Sequence, residues 1–145
     1  MKPFSQVDIF PDIVVKKHLK DKFYEKEKFF YLTFQHLFDF IPELLSFNDE
    51  SKMLIFKNVG CVIKKEDIDF VEVKRINDIL INHSIYQNDY RTKNILYDVF
   101  TNKYFIIDFE MWDTEYKDFR KSSVKQEIRD KLSIPAYQSF LLNNL

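Results

Sequence analysis

Apolar and polar residues alternate along Ile13-Val14-Val15-Lys16-Lys17-His18-Leu19, a β-branched run that predicts a strand. The period then lengthens. From Asp21 to about Phe40, Phe23, Phe30, Phe34 and Leu37 recur at spacings of seven, four and three, which predicts a helix with one buried stripe. One residue on that stripe is charged: Glu27 stands four after Phe23 and three before Phe30. Pro42 then stops the helix. Leu44 to Phe47 and Lys52 to Phe56 read as a hairpin turned at Asn48-Asp49-Glu50-Ser51. Asn58-Val59-Gly60 breaks the pattern, and Gly60 is expected to supply a backbone angle that a side chain forbids. Ile68 to about Asn82 predicts a second helix with Val73, Ile76 and Leu80 inward. Asn94 to Tyr97 and Tyr104 to Ile107 predict another hairpin, turned at Thr101-Asn102-Lys103. From Ser122 the tail reads as helical, with Val124, Ile128 and Leu132 in step, a break near Pro135 and a last short helix. Strand, helix, strands, helix, strands, helices make an α+β fold in two small layers.

Composition narrows the chemistry. The chain has 145 residues, room for one domain, and its 46% hydrophobic and 31% charged residues exclude disorder. Its 16 Phe and 8 Tyr supply a core of flat rings. A single Gly excludes glycine-rich phosphate loops, which need at least two. Cys61 stands alone, so a disulfide framework and a cysteine zinc site are excluded and a reducing compartment is expected. A net charge of -1 gives no footprint for nucleic acid. No run is apolar enough to span a bilayer, and the N-terminus lacks a Sec signal's apolar core, so any export is expected by a non-Sec route.

Candidate chemistry lies in Gln87-Asn88-Asp89-Tyr90-Arg91-Thr92-Lys93-Asn94 and in Ile106-Ile107-Asp108-Phe109. An acid opening a polar loop, an amide closing it five residues later, and a second acid where the next hairpin exits form a phosphotransfer layout. Asp89 can accept a hydrogen bond, and then a proton, from an attacking hydroxyl. Asn94 and Asp108 offer the oxygen ligands that Mg²⁺ prefers. Lys93, four residues after Asp89, is placed to lie beside the transferring phosphate. Glu27 on a buried face needs a partner, and Lys16 on the preceding strand, sharing its face with Val14, is the first choice. Lys17 competes with Lys16, and Glu25 with Glu27. His18, His36 and His83 are scattered, with no carboxylate or thiol at ligand spacing, so no histidine metal site is expected. Trp112 reads as core, and Lys64-Lys65, followed by Glu66-Asp67, as a solvated turn.

From about Ile13 to Phe109 these residues resemble a protein kinase fold cut to its minimum. Val14-Val15-Lys16 resembles the V-A-I-K strand, Glu27 the glutamate of the αC helix, and Asn58-Val59-Gly60 the hinge. Asp89 through Asn94 resembles the H-R-D-x-x-x-x-N loop, with Gln87 at its histidine, and Asp108-Phe109-Glu110 the D-F-G, with Glu110 at its glycine. Asn94-Ile95-Leu96-Tyr97-Asp98 and the short tail are similar to the miniature effector kinases that enteric pathogens inject by type III secretion.

The resemblance implies one truncated kinase-like domain. A small β-sheet N-lobe with one αC-type helix would span about 1–58, and a reduced helical C-lobe 59–145. It implies ATP with Mg²⁺ or Mn²⁺, Asp89 as base, and Asn94 and Asp108 on the metal. Lys16, held by Glu27, would grip the phosphates, with Val14, Asn58 and Gly60 at the nucleotide. Implied partners are a protein substrate and ubiquitin or a ubiquitin-charged conjugating enzyme, in a host cell's cytoplasm. A viral truncated kinase in the cytoplasm of an infected cell is the alternative source. Two other functions share the pattern: a pseudokinase interaction module and a small-molecule phosphotransferase. No Gly precedes Lys16, so residues 1–12, with Phe4, Val7, Ile9 and Phe10, are expected to fold over the sheet as an irregular strand replacing the glycine loop.

Overall fold

The computed structural model describes residues 5–117 together with 128, 131 and 132. The expected first strand is β2 (Ile13–His18), which pairs antiparallel with β1 (Ser5–Ile9) on one side and β4 (Met53–Lys57) on the other. β4 also pairs with β3 (Leu44–Asn48), so the sheet runs β1-β2-β4-β3, with a bulge between Leu44 and Ser46. Strand alternation decides which β2 residues face inward. Lys16 and His18 are buried, whereas Lys17 is exposed.

α1 (Asp21–Phe34) buries Phe23, Tyr24, Glu27, Phe30 and Tyr31. It ends at Phe34 rather than near Phe40, and Leu37, expected on its inner stripe, is 66% exposed. The cause lies in the residues that follow. Phe38, Phe40 and Ile41 are all buried, and a helix would set Phe38 and Phe40 about 200° apart around its axis. Burying both requires the chain to leave helical geometry. Gln35 marks the change, its side-chain Oε1 accepting the Leu44 amide at 2.6 Å.

α2 (Phe70–Asn82) starts two residues later than Ile68, after a 3₁₀ turn at Lys65–Asp67. Asp69 caps it, accepting from the amides of Val71 and Glu72. Val73, Ile76 and Leu80 face the core as expected. β5 (Ile95–Asp98) and β6 (Lys103–Ile106) form a separate hairpin with Ile95 opposite Ile106. Ile128 and Leu132 are helical and buried, in agreement with their spacing; the rest of the expected tail lies outside the described residues. Among the described residues no helix is long and apolar enough to cross a membrane.

Two expectations need correction. Gly60 does not have a positive φ. Its requirement is space: a Cβ there would lie 2.6 Å from the Tyr97 carbonyl oxygen, which accepts the Cys61 amide at 3.1 Å. The N-terminal segment, in turn, is regular rather than irregular. β1 keeps ladder register with β2 from Ser5 opposite His18 to Ile9 opposite Val14. Val7, Ile9 and Phe10 are exposed, and Val7 and Ile9 border the cavity described below. Phe4 lies outside the described residues.

Candidate active site

The four-stranded sheet and the β5–β6 hairpin border one cavity of about 720 Å³. The expected residues Lys16, Glu27, Val14, Asn58, Gly60, Asp89, Lys93, Asn94 and Asp108 all line it. The β5–β6 register explains the two expected metal ligands. Asn94 directly precedes β5, and Asp108 stands two residues beyond β6 at the same end of the hairpin. The Ile107 amide donates to the Asn94 carbonyl at 3.0 Å and joins the two segments. Asp108 itself has φ 69°, a left-handed conformation that Asp tolerates better than most residues.

Lys16 Nζ lies 2.8 Å from Glu27 Oε1, 3.1 Å from Asp108 Oδ1 and 3.7 Å from Glu110 Oε2. Burial lowers the amine's hold on its proton, but Glu27, Asp108 and Glu110 together outweigh it and hold the ammonium well above its ordinary range. Burial likewise opposes the Glu27 carboxylate, and the charge of Lys16 with the His18 hydrogen bond brings it down to about 2. Glu27 Oε2 accepts the Phe109 amide at 2.8 Å, so both of its oxygens are held. Lys16 is therefore the buried partner of Glu27. Lys17 points to solvent, and Glu25 is an exposed partner of Lys28.

Asn94 Nδ2 donates to the Asp89 carbonyl at 2.8 Å and to Asp89 Oδ2 at 3.3 Å, so Oδ1 is the atom Asn94 would offer to a metal. The cation beside Asp89 is Arg91, whose Nε lies 2.9 Å from Asp89 Oδ1. Lys93, expected beside the transferring phosphate, borders the same cavity and is exposed. Thr92–Asn94 forms a single 3₁₀ turn between Arg91 and β5. Asn58, expected at the nucleotide, also lines the cavity. Its Nδ2 donates to the Phe10 carbonyl at 2.9 Å and its Oδ1 accepts the Gly60 amide at 3.3 Å, so the side chain braces the segment after β4.

Three further residues carry the site without having been singled out for it. Gln87 Nε2 donates to the carbonyls of Ile107 (2.8 Å) and Asp108 (2.9 Å), and its Oε1 accepts the Asp89 amide at 2.6 Å. It thus ties the Asp89 loop to the Asp108 turn. His18 Nε2 lies 2.8 Å from Glu27 Oε1, and Nδ1 lies 3.4 Å from Glu110 Oε2. Spacing along the chain set His18 apart from any carboxylate, but folding gathers ligand-type atoms of His18, Glu27 and Glu110 within 4.8 Å. The Lys16 ammonium is the cation that sits against both glutamates of this group. The period-2 repeat that puts His18 on the face of Lys16 was the available signal. Burial pushes the Glu110 carboxyl up to about 8, with Asp108 and Glu27 adding to the shift against the pull of Lys16. Trp112 is half-buried against the core, stacked on the exposed Phe29, with Nε1 donating to the Lys26 carbonyl at 3.0 Å.

No family model and no curated protein matches the sequence. Solved structures do match the fold. A structure of monomeric WbdD aligns with TM-score 0.64 at 17% identity, covering 97% of this chain and 40% of that one. A structure of the bifunctional kinase-methyltransferase WbdD aligns with TM-score 0.64 at 16% identity, covering 90% and 34%. The chain thus spans well under half the length of either. The fold is α+β and kinase-like.

Proposed function

We propose that this protein transfers the γ-phosphoryl group of ATP to a Ser or Thr hydroxyl of a protein. The observation that carries this reading is the Lys16 ammonium held by Glu27 and Asp108 on a cavity that Asp89 and Asn94 also line. The donor set suits Mg²⁺ or Mn²⁺, because Asn94 Oδ1 and the Asp108 carboxylate are hard oxygen ligands bordering one space. When bound, such an ion neutralises and orients the phosphate oxygens. Lys16 is the group that would grip those oxygens, and Asp89 the group that would take the hydroxyl proton, with Arg91 fixing its carboxylate. Val14, Phe56, Val59 and Leu96 supply apolar lining for the base. Phosphoryl transfer asks chiefly for positioning and charge neutralisation, which these groups provide.

The test is incorporation of radiolabelled phosphate from ATP and Mg²⁺ into protein and small hydroxyl acceptors. Asp108→Ala should remove it, by about 100-fold or more, while the protein stays folded. Equal incorporation by the wild type and this variant overturns the assignment, and transfer confined to small acceptors replaces the Ser/Thr reading with small-molecule phosphotransfer. The resemblance of Asn94 to Asp98 extends the proposal to action inside a host cell with ubiquitin or a ubiquitin-charged conjugating enzyme as partner. Co-sedimentation with either tests that extension.

One observation favours a second reading, a pseudokinase: β1 has no Gly with which to wrap phosphates. Thermal unfolding separates the two. A ligand at about 100 times its Kd stabilises by about 2.7 kcal/mol, so no shift with millimolar ATP and Mg²⁺ or Mn²⁺ favours the pseudokinase.

A further inference from the structure

Lys16 is held by more than one glutamate. On β2, Lys16 and His18 are two residues apart and so share the inner face. On α1, Glu27 reaches both of them through a single oxygen, Oε1, at 2.8 Å each. Beyond β6, Glu110 closes the figure from the other side, with Oε2 3.4 Å from His18 Nδ1 and 3.7 Å from Lys16 Nζ. His18 is completely buried and Glu110 nearly so, which makes this an interior contact. Such groups are costly to bury unless they compensate one another. The two nitrogens of one imidazole thus face carboxyl groups from two different segments, α1 and the Asp108–Glu110 turn.

We propose that His18 and Glu110 form a latch that positions Lys16 and Asp108 for phosphoryl transfer, with His18 joining α1 to the Asp108 turn. The proposal rests on the phosphotransferase reading for its kinetic consequence but not for the latch itself. The physical argument is rigidity. Lys16 is a flexible chain ending in a point charge, and one carboxylate would leave its ammonium free to swing. The Glu110 carboxyl, 3.7 Å from the ammonium and 3.4 Å from His18 Nδ1, closes the space on that side, and the same contact sets the turn on which Asp108 lies. His18 lies behind the cavity lining, and Glu110 borders it beside Lys16 and acts through that amine and the Asp108 turn, so both are positioning residues.

The latch is tested by a double-mutant cycle of His18→Phe and Glu110→Gly, with Glu110→Gln as the conservative control. In phosphotransfer, each single variant should lower kcat about tenfold or more while KM for ATP moves less than about threefold. The double variant should lose no more than the worse single one, because both break one unit. Glu110→Gln keeps the shape and an accepting oxygen, and should retain at least about half of kcat. The second readout needs no activity: the rate at which acetic anhydride modifies Lys16, followed by mass spectrometry. It should rise about tenfold in Glu110→Gly and stay near wild type in Glu110→Gln, because a charged, confined amine reacts slowly.

Losses that multiply across the cycle overturn the latch, as do folded variants with unchanged kcat. Equal Lys16 reactivity in the Gly and Gln variants also overturns it, since the effect is then charge alone. If His18→Phe does not fold, the Glu110 pair decides by the Lys16 rate. If the wild-type protein transfers no phosphate, the proposed function fails and the latch stands or falls on that same rate.

Discussion

The Phe109 ring lies flat on the Phe30 ring, with centroids 3.8 Å apart and planes 7° from parallel. Both rings are completely buried. The stack fastens α1 to the segment that carries Asp108, one residue before Phe109. The Phe109 amide hydrogen bond to Glu27 reinforces it at 2.8 Å, one turn back along the same helix. Hydrophobic packing and the charged site therefore share a backbone, and disturbing one should disturb the other.

Phe30→Ala should cost about 3–5 kcal/mol of stability, because it empties a volume enclosed by Phe34, Phe109 and Trp112. Urea unfolding measures the loss. Phosphotransfer should fall by more than the unfolded fraction explains, since Phe109 would no longer hold the turn. Activity that tracks only the folded fraction would separate the stack from the site.

Glu110 should give stability an unusual pH slope. Its carboxyl titrates near 8 in the folded protein and near 4.5 when exposed. Between those values the folded state holds a proton that the unfolded state has released, so stability falls as pH rises through this window. The slope approaches roughly 1.4 kcal/mol per pH unit at most. Glu27, held near 2, acts in the opposite sense: its contribution is present above about 4.5 and is lost as pH falls toward 2. Denaturant titrations from pH 5 to 8 should therefore show a decline that Glu110→Gln flattens. An unchanged slope in that variant would assign the decline to another group.

Gly60→Ala should destabilise by about 1–3 kcal/mol through overpacking alone. The added methyl would meet the Tyr97 carbonyl at 2.6 Å and push apart the Cys61–Tyr97 bridge that closes the cavity wall. Thermal unfolding and ATP affinity should both decline. A neutral result would mean that the wall yields.

Deleting residues 1–10 removes β1 and leaves one side of β2, the strand of Lys16, without ladder partners. The melting temperature should drop by about 5 °C or more. ATP should bind more weakly, because Val7 and Ile9 leave the cavity rim. A truncated protein as stable and as competent for ATP as the full chain would show that β1 is only an attachment.

Local pattern alone placed most of the elements. The β2 alternation, the Phe23–Glu27–Phe30 stripe, the Val73–Ile76–Leu80 face and both hairpins follow from side-chain period, and the structure has them within a residue or two. Glu27 was legible for a related reason: a charge on a buried stripe demands a partner, and the neighbouring strand offered few. Lys16 over Lys17 followed from phase once the strand was paired on both sides.

What the chain order could not convey is what lies beside what. His18 and Glu110 are 92 residues apart and meet only because β2, α1 and the Asp108 turn converge on one interior volume. Arg91 pairs with Asp89 through a loop geometry that no local period records. Gly60 is needed for a contact with Tyr97, far along the chain, and not for its own backbone angle. α1 stops early because Phe38, Phe40 and Ile41 are all drawn into the core. Periodicity records which way a residue faces within its own element. Compensation among buried charges, close approach of backbones and the choice of which rings fill the core are set by neighbours distant in sequence, and only the assembled tertiary structure determines those.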